Sequence, residues 1–142
     1  LFRSFYRYDA ETRRRSNDPE VQALIERQAA TAGIERREID PSEIVDRLIF
    51  ALANEGMKIV EEGIAQRPGD IDVVYVYGYG FPAFRGGPMH HADAVGLDTV
   101  LARVQEFQRR FGSDNWTPAP LLETHVAEGT TLSEWAAGAT GR

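Results

Sequence analysis

The stretch YGYGFPAFRGGPMHHAD, Tyr77 to Asp93, constrains this chain more than any other. Between Gly80 and Pro88 it holds five glycines and prolines, interleaved with Phe81, Phe84 and, just beyond, Met89. Such a mixture predicts neither a regular helix nor a regular strand. Its apolar side chains demand packing, its glycines suit positive φ or close backbone approach, and its prolines fix the exit angle. The segment therefore reads as a rigid clasp rather than a flexible linker.

What surrounds the clasp is helical in period. Asp18-Pro19-Glu20 is a cap and first turn, followed at helical spacing by Val21, Leu24, Ile25, Gln28 and Ala32 as far as Gly33. Asp40-Pro41-Ser42-Glu43 opens a longer helix that Gly63 stops. On a wheel, Ile44, Leu48, Ala51, Leu52, Ile59 and Val60 share one face of that helix, which predicts its core side. Glu55 falls in the middle of this face. A buried carboxylate needs a partner, so Glu55 is either a weak catalytic candidate or a structural acid that accepts N–H groups from the clasp.

Pro68-Gly69-Asp70-Ile71-Asp72 opens a further helix, although VVYVY has strand propensity. No other segment offers a strand a partner, which decides for helix. From Gly96, the residues Leu97, Val100, Leu101, Val104, Phe107 and Phe111 form a clean stripe ending at Gly112. APLLETHVAEG predicts a shorter helix, and Thr131 to Trp135 a final turn. The fold class is all-α. The segments divide as 1–18, the end of a preceding domain; 19–40, a connecting helix and linker; and 41–142, a helical domain.

Composition excludes several chemistries. The chain has no Cys, so disulfides, thiolate zinc sites and cysteine nucleophiles are absent. A net charge of −6 speaks against nucleic-acid binding, and the run Arg13-Arg14-Arg15 reads as a solvated face. No window resembles a membrane span and no signal core begins the chain, so a cytoplasmic location is expected. No peroxisomal tripeptide stands at Gly141-Arg142. Adjacent His90 and His91 point about 100° apart on a helix, which disfavours a shared metal even with Asp93 nearby. No serine lies in a nucleophile elbow. Gly78-Tyr79-Gly80 leads into a loop that fits neither the dinucleotide fingerprint nor the P-loop, so no metal and no cofactor site is expected in this segment.

The order FYRYD, Asn54-Glu55, Glu61-Glu62-Gly63, Asp70-Ile71-Asp72, GYGFPAFRGGP with Asp93, and Gly96-Leu97 resembles the C-terminal part of the 3-hydroxyacyl-CoA dehydrogenase family. It is most similar to the last domain of the multifunctional enzymes that join enoyl-CoA hydratase to that dehydrogenase. The resemblance implies the helical fold of the 6-phosphogluconate dehydrogenase C-terminal domain. It implies a parent with a hydratase domain, a Rossmann domain that binds NAD, and two helical copies, of which this chain is the second and stands in for a partner subunit. The parent would pass hydride from C3 of a 3-hydroxyacyl-CoA to NAD, with a His and a Glu that lie outside this segment.

In the first helical copy of such enzymes an Asn precedes an Arg on the first helix. Here the step is Asp46-Arg47, which argues against substrate contact. LFRS is a second departure, ahead of FYRYD. The implied role is a scaffold without catalysis, with Gly78, Gly80, Phe81, Pro82, Phe84, Gly86, Gly87, Pro88, Met89 and Asp93 as structural loop and interface. The expected partners are the preceding helical, Rossmann and hydratase domains, with self-association when isolated. A stand-alone helical binding or dimerisation module is the alternative. A small CoA-binding protein fits poorly, since Lys58 is the only lysine.

Overall fold

The computed structural model describes residues 4–139, with side chains as far as Ala136. The departure expected in LFRS lies largely outside these residues, as does the Gly141-Arg142 terminus. Two units are present, one up to Ile39 and one from Asp40 onward.

The first unit contains a feature that the helical reading missed. β1 (Tyr6–Tyr8) pairs antiparallel with β2 (Arg15–Asn17), in the register Tyr6↔Asn17, Arg7↔Ser16 and Tyr8↔Arg15. Asp9 turns the hairpin: its carboxylate accepts from Thr12 N at 2.7 Å and Thr12 Oγ1 at 2.8 Å, and Arg13 takes φ 56°. Arg15 stacks on Tyr6 at 5.1 Å, so part of the arginine run serves the hairpin. Asp18 then caps α1 (Pro19–Thr31), accepting from Glu20 N at 2.9 Å, and pairs with Arg7 at 3.0 Å. Hairpin and helix thus form one unit, where the sequence divided them at residue 18. No α1 residue is buried, and its stripe of Leu24 and Ile25 stays uncovered within the unit.

Among its described residues the second unit has helices as its regular elements. Asp40 caps α2 (Pro41–Glu61) through Ser42 N at 2.8 Å. There follow α3 (Pro68–Gly78), a 3-10 turn at Ala83–Arg85, α4 (Pro88–Val95), α5 (Leu97–Phe111), α6 (Pro120–Glu128) and α7 (Leu132–Ala139). VVYVY is helical, as expected, while the predicted final turn is an eight-residue helix. α2 contacts α3, α4, α5 and α6, so it forms the spine of the domain.

The core joins Phe50, Ala53, Met57 and Val60 of α2 to Ile71, Met89, Ala92, Leu97, Val100, Val104, Phe107, Trp116, Leu122 and Leu132. On α5 the predicted stripe faces inward, apart from Phe111, which is 42% exposed at the helix end. On α2 the predicted face is right only in part: Val60 is buried and Ala51 and Ile59 pack partly against the core, but the centre of the buried side lies about half a turn of the wheel away. Ile44 and Leu48 are exposed, and the buried side runs through Phe50, Ala53, Asn54, Gly56 and Met57. Both sides of α2 are apolar, and the side with the small residues won. Gly56 shows why: a Cβ there would meet Met89 Sδ at 2.6 Å, so α4 approaches along this line. No helix among the described residues is long and apolar enough to cross a membrane.

Candidate functional site

The clasp is built by neighbours as much as by its own residues. After α3, Phe81 N donates to Tyr75 O at 2.9 Å, and Gly80 takes φ 74° to allow the reversal. Phe81 turns into the protein, Pro82 stays outside, and the 3-10 turn projects Phe84 into solvent at 85% exposure. Gly86 and Gly87 follow at φ 78° and 115°. Neither tolerates a side chain, since a Cβ at Gly86 would lie 2.3 Å from the His90 ring and one at Gly87 2.3 Å from Asp72 Oδ1. Regular helix resumes at Pro88, so the irregular segment is shorter than the sequence predicted. Pro88 and Met89 are buried in α4, which removes Met89, like Phe81, from the outward contacts expected of the loop.

Two carboxylates tie this region together, each from a distant helix. Asp72 of α3 accepts from Met89 N at 2.8 Å and His90 N at 3.1 Å, capping α4 where its first amides have no helical partners. Burial pushes the Asp72 carboxyl up despite these amides. Asp93 of α4 caps α7 in the same way: Leu132 N and Ser133 N donate to it at 2.9 Å, and Ser133 Oγ at 2.7 Å. Between α3, α4 and α7 lies a shallow cleft of about 250 Å³ lined by Asp72, His90, Asp93 and Ser133.

Both Asp93 oxygens face α7 amides rather than His90 or His91, and among the described residues no group of three or more His, Asp or Glu is placed to hold a metal. The His91 ring is shifted down by burial, then by Arg85 and His90. Gly78 ends α3 with open space around it, so its lack of a side chain serves no close contact.

Glu55 takes neither role expected of it. It is exposed and pairs with Lys58 at 3.4 Å, because it lies on the outward face of α2. The acid that receives the clasp's amides is Asp72. The polar group that α2 buries among its core residues is instead Asn54, whose Nδ2 donates to Thr117 O at 2.9 Å and whose Oδ1 accepts from Ala119 N at 2.8 Å. Asn54 so pins the α5–α6 connection to the spine, and its position beside Ala53 and Gly56 was the available signal.

Asp46, at the step where an amide would mark a substrate-contacting copy, is engaged within the domain. Its Oδ2 accepts from Arg103 Nε at 3.1 Å and lies 3.0 Å from Arg103 Nη2. Arg103 also bonds Glu106, Glu106 bonds Arg110 at 2.8 Å, and Arg110 reaches Glu43 at 3.1 Å. Arg47 stacks on Phe111 at 4.2 Å, with Arg110 at 4.9 Å from the same ring. The five linked charges join the first half of α2 to α5.

NAD does not fit the glycine turn before α4. Its pyrophosphate would need a helix N-terminus with free amides behind a glycine turn. The glycine turn here leads to α4, whose first amides already hold the Asp72 carboxylate, and an anion beside that charge would be repelled.

A helical domain whose glycine loop is closed internally, with the first α4 amides held by Asp72, is the class that this geometry defines. The sequence matches the family described as 3-hydroxyacyl-CoA dehydrogenase, C-terminal domain over residues 44–138, and the chain belongs to that family. It is 42% identical over 137 residues to a peroxisomal bifunctional enzyme of Danio rerio, covering 94% of this chain and 19% of that protein. A peroxisomal bifunctional enzyme of Homo sapiens is 38% identical over 136 residues, with the same coverage of 94% and 19%. Among solved structures, an (S)-3-hydroxybutyryl-CoA dehydrogenase of Ralstonia eutropha is similar with a TM-score of 0.56 and 29% identity, over 80% of this chain and 39% of that one. The chain thus spans about a fifth of the length of the curated relatives it matches.

Proposed function

We propose that this chain is the last helical domain of a multifunctional fatty-acid β-oxidation enzyme, in which it acts as a scaffold and not as a catalyst. The parent oxidises 3-hydroxyacyl-CoA to 3-ketoacyl-CoA with NAD held in its Rossmann domain. The observation that carries the non-catalytic part is the engagement of Asp46 by Arg103, which puts a fixed carboxylate where an amide would have to meet an uncharged thioester. Support for a scaffold comes from apolar side chains that the domain does not use itself: Ile44, Val45 and Leu48 on α2, and Val73, Val74, Tyr77, Tyr79 and Phe84 on and after α3 are all close to half exposed or more.

In this reading the partners are the preceding helical domain, the Rossmann domain and the hydratase domain of the same parent, and the isolated domain self-associates through the uncovered faces. The unit up to Ile39, hairpin and α1 together, is then the end of the preceding domain with its linker. The location is that of the parent. Relatives named peroxisomal favour that organelle over the cytoplasmic location expected from the sequence.

The test is NAD reduction with a 3-hydroxyacyl-CoA, measured on the full-length parent and on this chain. Activity is expected in the parent alone. Phe84→Asp should weaken parental assembly while leaving the isolated domain folded, and unchanged assembly and activity in that variant would remove the clasp from the scaffold.

A further inference from the structure

The spine helix is held in two different ways along its length. From Phe50 onward α2 presents Phe50, Ala53, Met57 and Val60 to the core. Before Phe50 its only buried residue is Glu43, and Ile49 is the one apolar side chain there packed, in part, against the core. What binds this first half to α5 is charge: Asp46 to Arg103 and Glu43 to Arg110, with Glu106 between the two arginines. The stacking of Arg47 on Phe111 adds a third contact of the same kind. Glu43 is buried, but Asp46, Arg103, Glu106 and Arg110 are partly exposed, so solvent and salt reach the network.

We infer that the Glu43–Arg110–Glu106–Arg103–Asp46 network is an ionic latch that docks residues 41–49 on α5 independently of the core. With the latch closed, Ile44, Val45 and Leu48 are held outward as one preformed apolar stripe. With it open, the first two turns of α2 detach while residues 53–60 stay packed. The inference concerns this chain alone and stands apart from the parental assignment.

Amide hydrogen exchange on the 142-residue chain tests it. The double variant Glu43→Gln/Asp46→Asn removes both charges that α2 contributes and leaves the α5 ladder intact. Amides of residues 45–49 should exchange roughly tenfold faster, with those of 53–60 changed by less than about twofold. Arg103→Gln/Arg110→Gln, made from the opposite helix, should reproduce the same local pattern. Unchanged exchange at 45–49 overturns the latch. So does equal acceleration of both segments, including global unfolding, since the first half would then depend on the same cooperative core as the second.

Discussion

Replacing Asn54 by Ala removes one side chain and strands two backbone groups. Asn54 is 1% exposed, and its amide is held by Thr117 O at 2.9 Å and Ala119 N at 2.8 Å. Ala119 is fully buried, so its N–H cannot turn to water, whereas Thr117 is an exposed residue. An orphaned buried donor costs about 1–3 kcal/mol, and the small void left by the side chain adds to it, for a total of about 2–4 kcal/mol. For a domain of this size that is a fall in Tm of roughly 10–20 °C.

Asn54→Asp separates hydrogen bonding from shape. The introduced carboxylate still accepts from Ala119 N but faces Thr117 O with a negative charge and no proton, in a buried site. Burial and the carbonyl raise the pKa of that carboxyl in the folded state above its unfolded value. The variant should therefore be destabilised most at neutral pH and recover towards the unsubstituted chain as pH falls through the raised folded value towards the ordinary carboxylate value, where a protonated oxygen can donate to Thr117 O. Urea unfolding at pH 7 and at pH 4 reads both effects. A loss below about 0.5 kcal/mol for Asn54→Ala, or a deficit for Asn54→Asp that is equal at the two pH values, would refute the reasoning.

Three other outcomes are expected. Asp93→Ala should release the start of α7 at a cost of about 1–2 kcal/mol, seen as faster exchange at Leu132 and Ser133 and a changed Trp135 emission, with α5 unaffected. Gly87→Ala forces a Cβ against Asp72 at φ 115° and should cost more than about 2 kcal/mol in thermal unfolding, whereas Gly69→Ala, which meets nothing, should be near neutral. The Glu106 carboxyl is held low, first by its hydrogen bond from Arg110 and then by the charge of Arg103. Because its folded value is depressed, its contribution is present above the ordinary Glu pKa of about 4.3 and is lost as pH falls through the folded value. In Glu106→Gln, stability should therefore fall less on acidification over that range, with the groups that face Glu106, namely Arg103, Arg110, Asp46 and Glu43, unchanged.

What could be read from the chain follows from how local each cause is. α5 was legible because one strong stripe, Leu97 to Phe107, meets one core. α3 was legible despite VVYVY, since a strand without a partner has nowhere to bond. α2 was misread because Ile44, Leu48 and Leu52 outweigh Ala53, Asn54 and Gly56 in hydrophobicity, although close helix approach selects the small residues. The hairpin at Tyr6–Asn17 rests on three-residue strands and an Asp9 turn, too short for alternation to stand out.

At the candidate site, the glycines of the clasp announced their conformation, but the groups that fill their space did not. Asp72 and Asp93 cap helices that start 16 and 39 residues further along, beyond the reach of any local capping rule. Asp46 stood out only against the family pattern, and its partner Arg103, 57 residues away, was invisible until α2 and α5 were brought together.

The measurement that tests the central claim most directly is the intact mass of the natural protein that carries this segment. A scaffold domain within a multifunctional dehydrogenase predicts a species several times heavier than the 15.9 kDa of this chain. A natural protein near 16 kDa would contradict it, because it would leave no room for a Rossmann domain, and the stand-alone binding module would take its place.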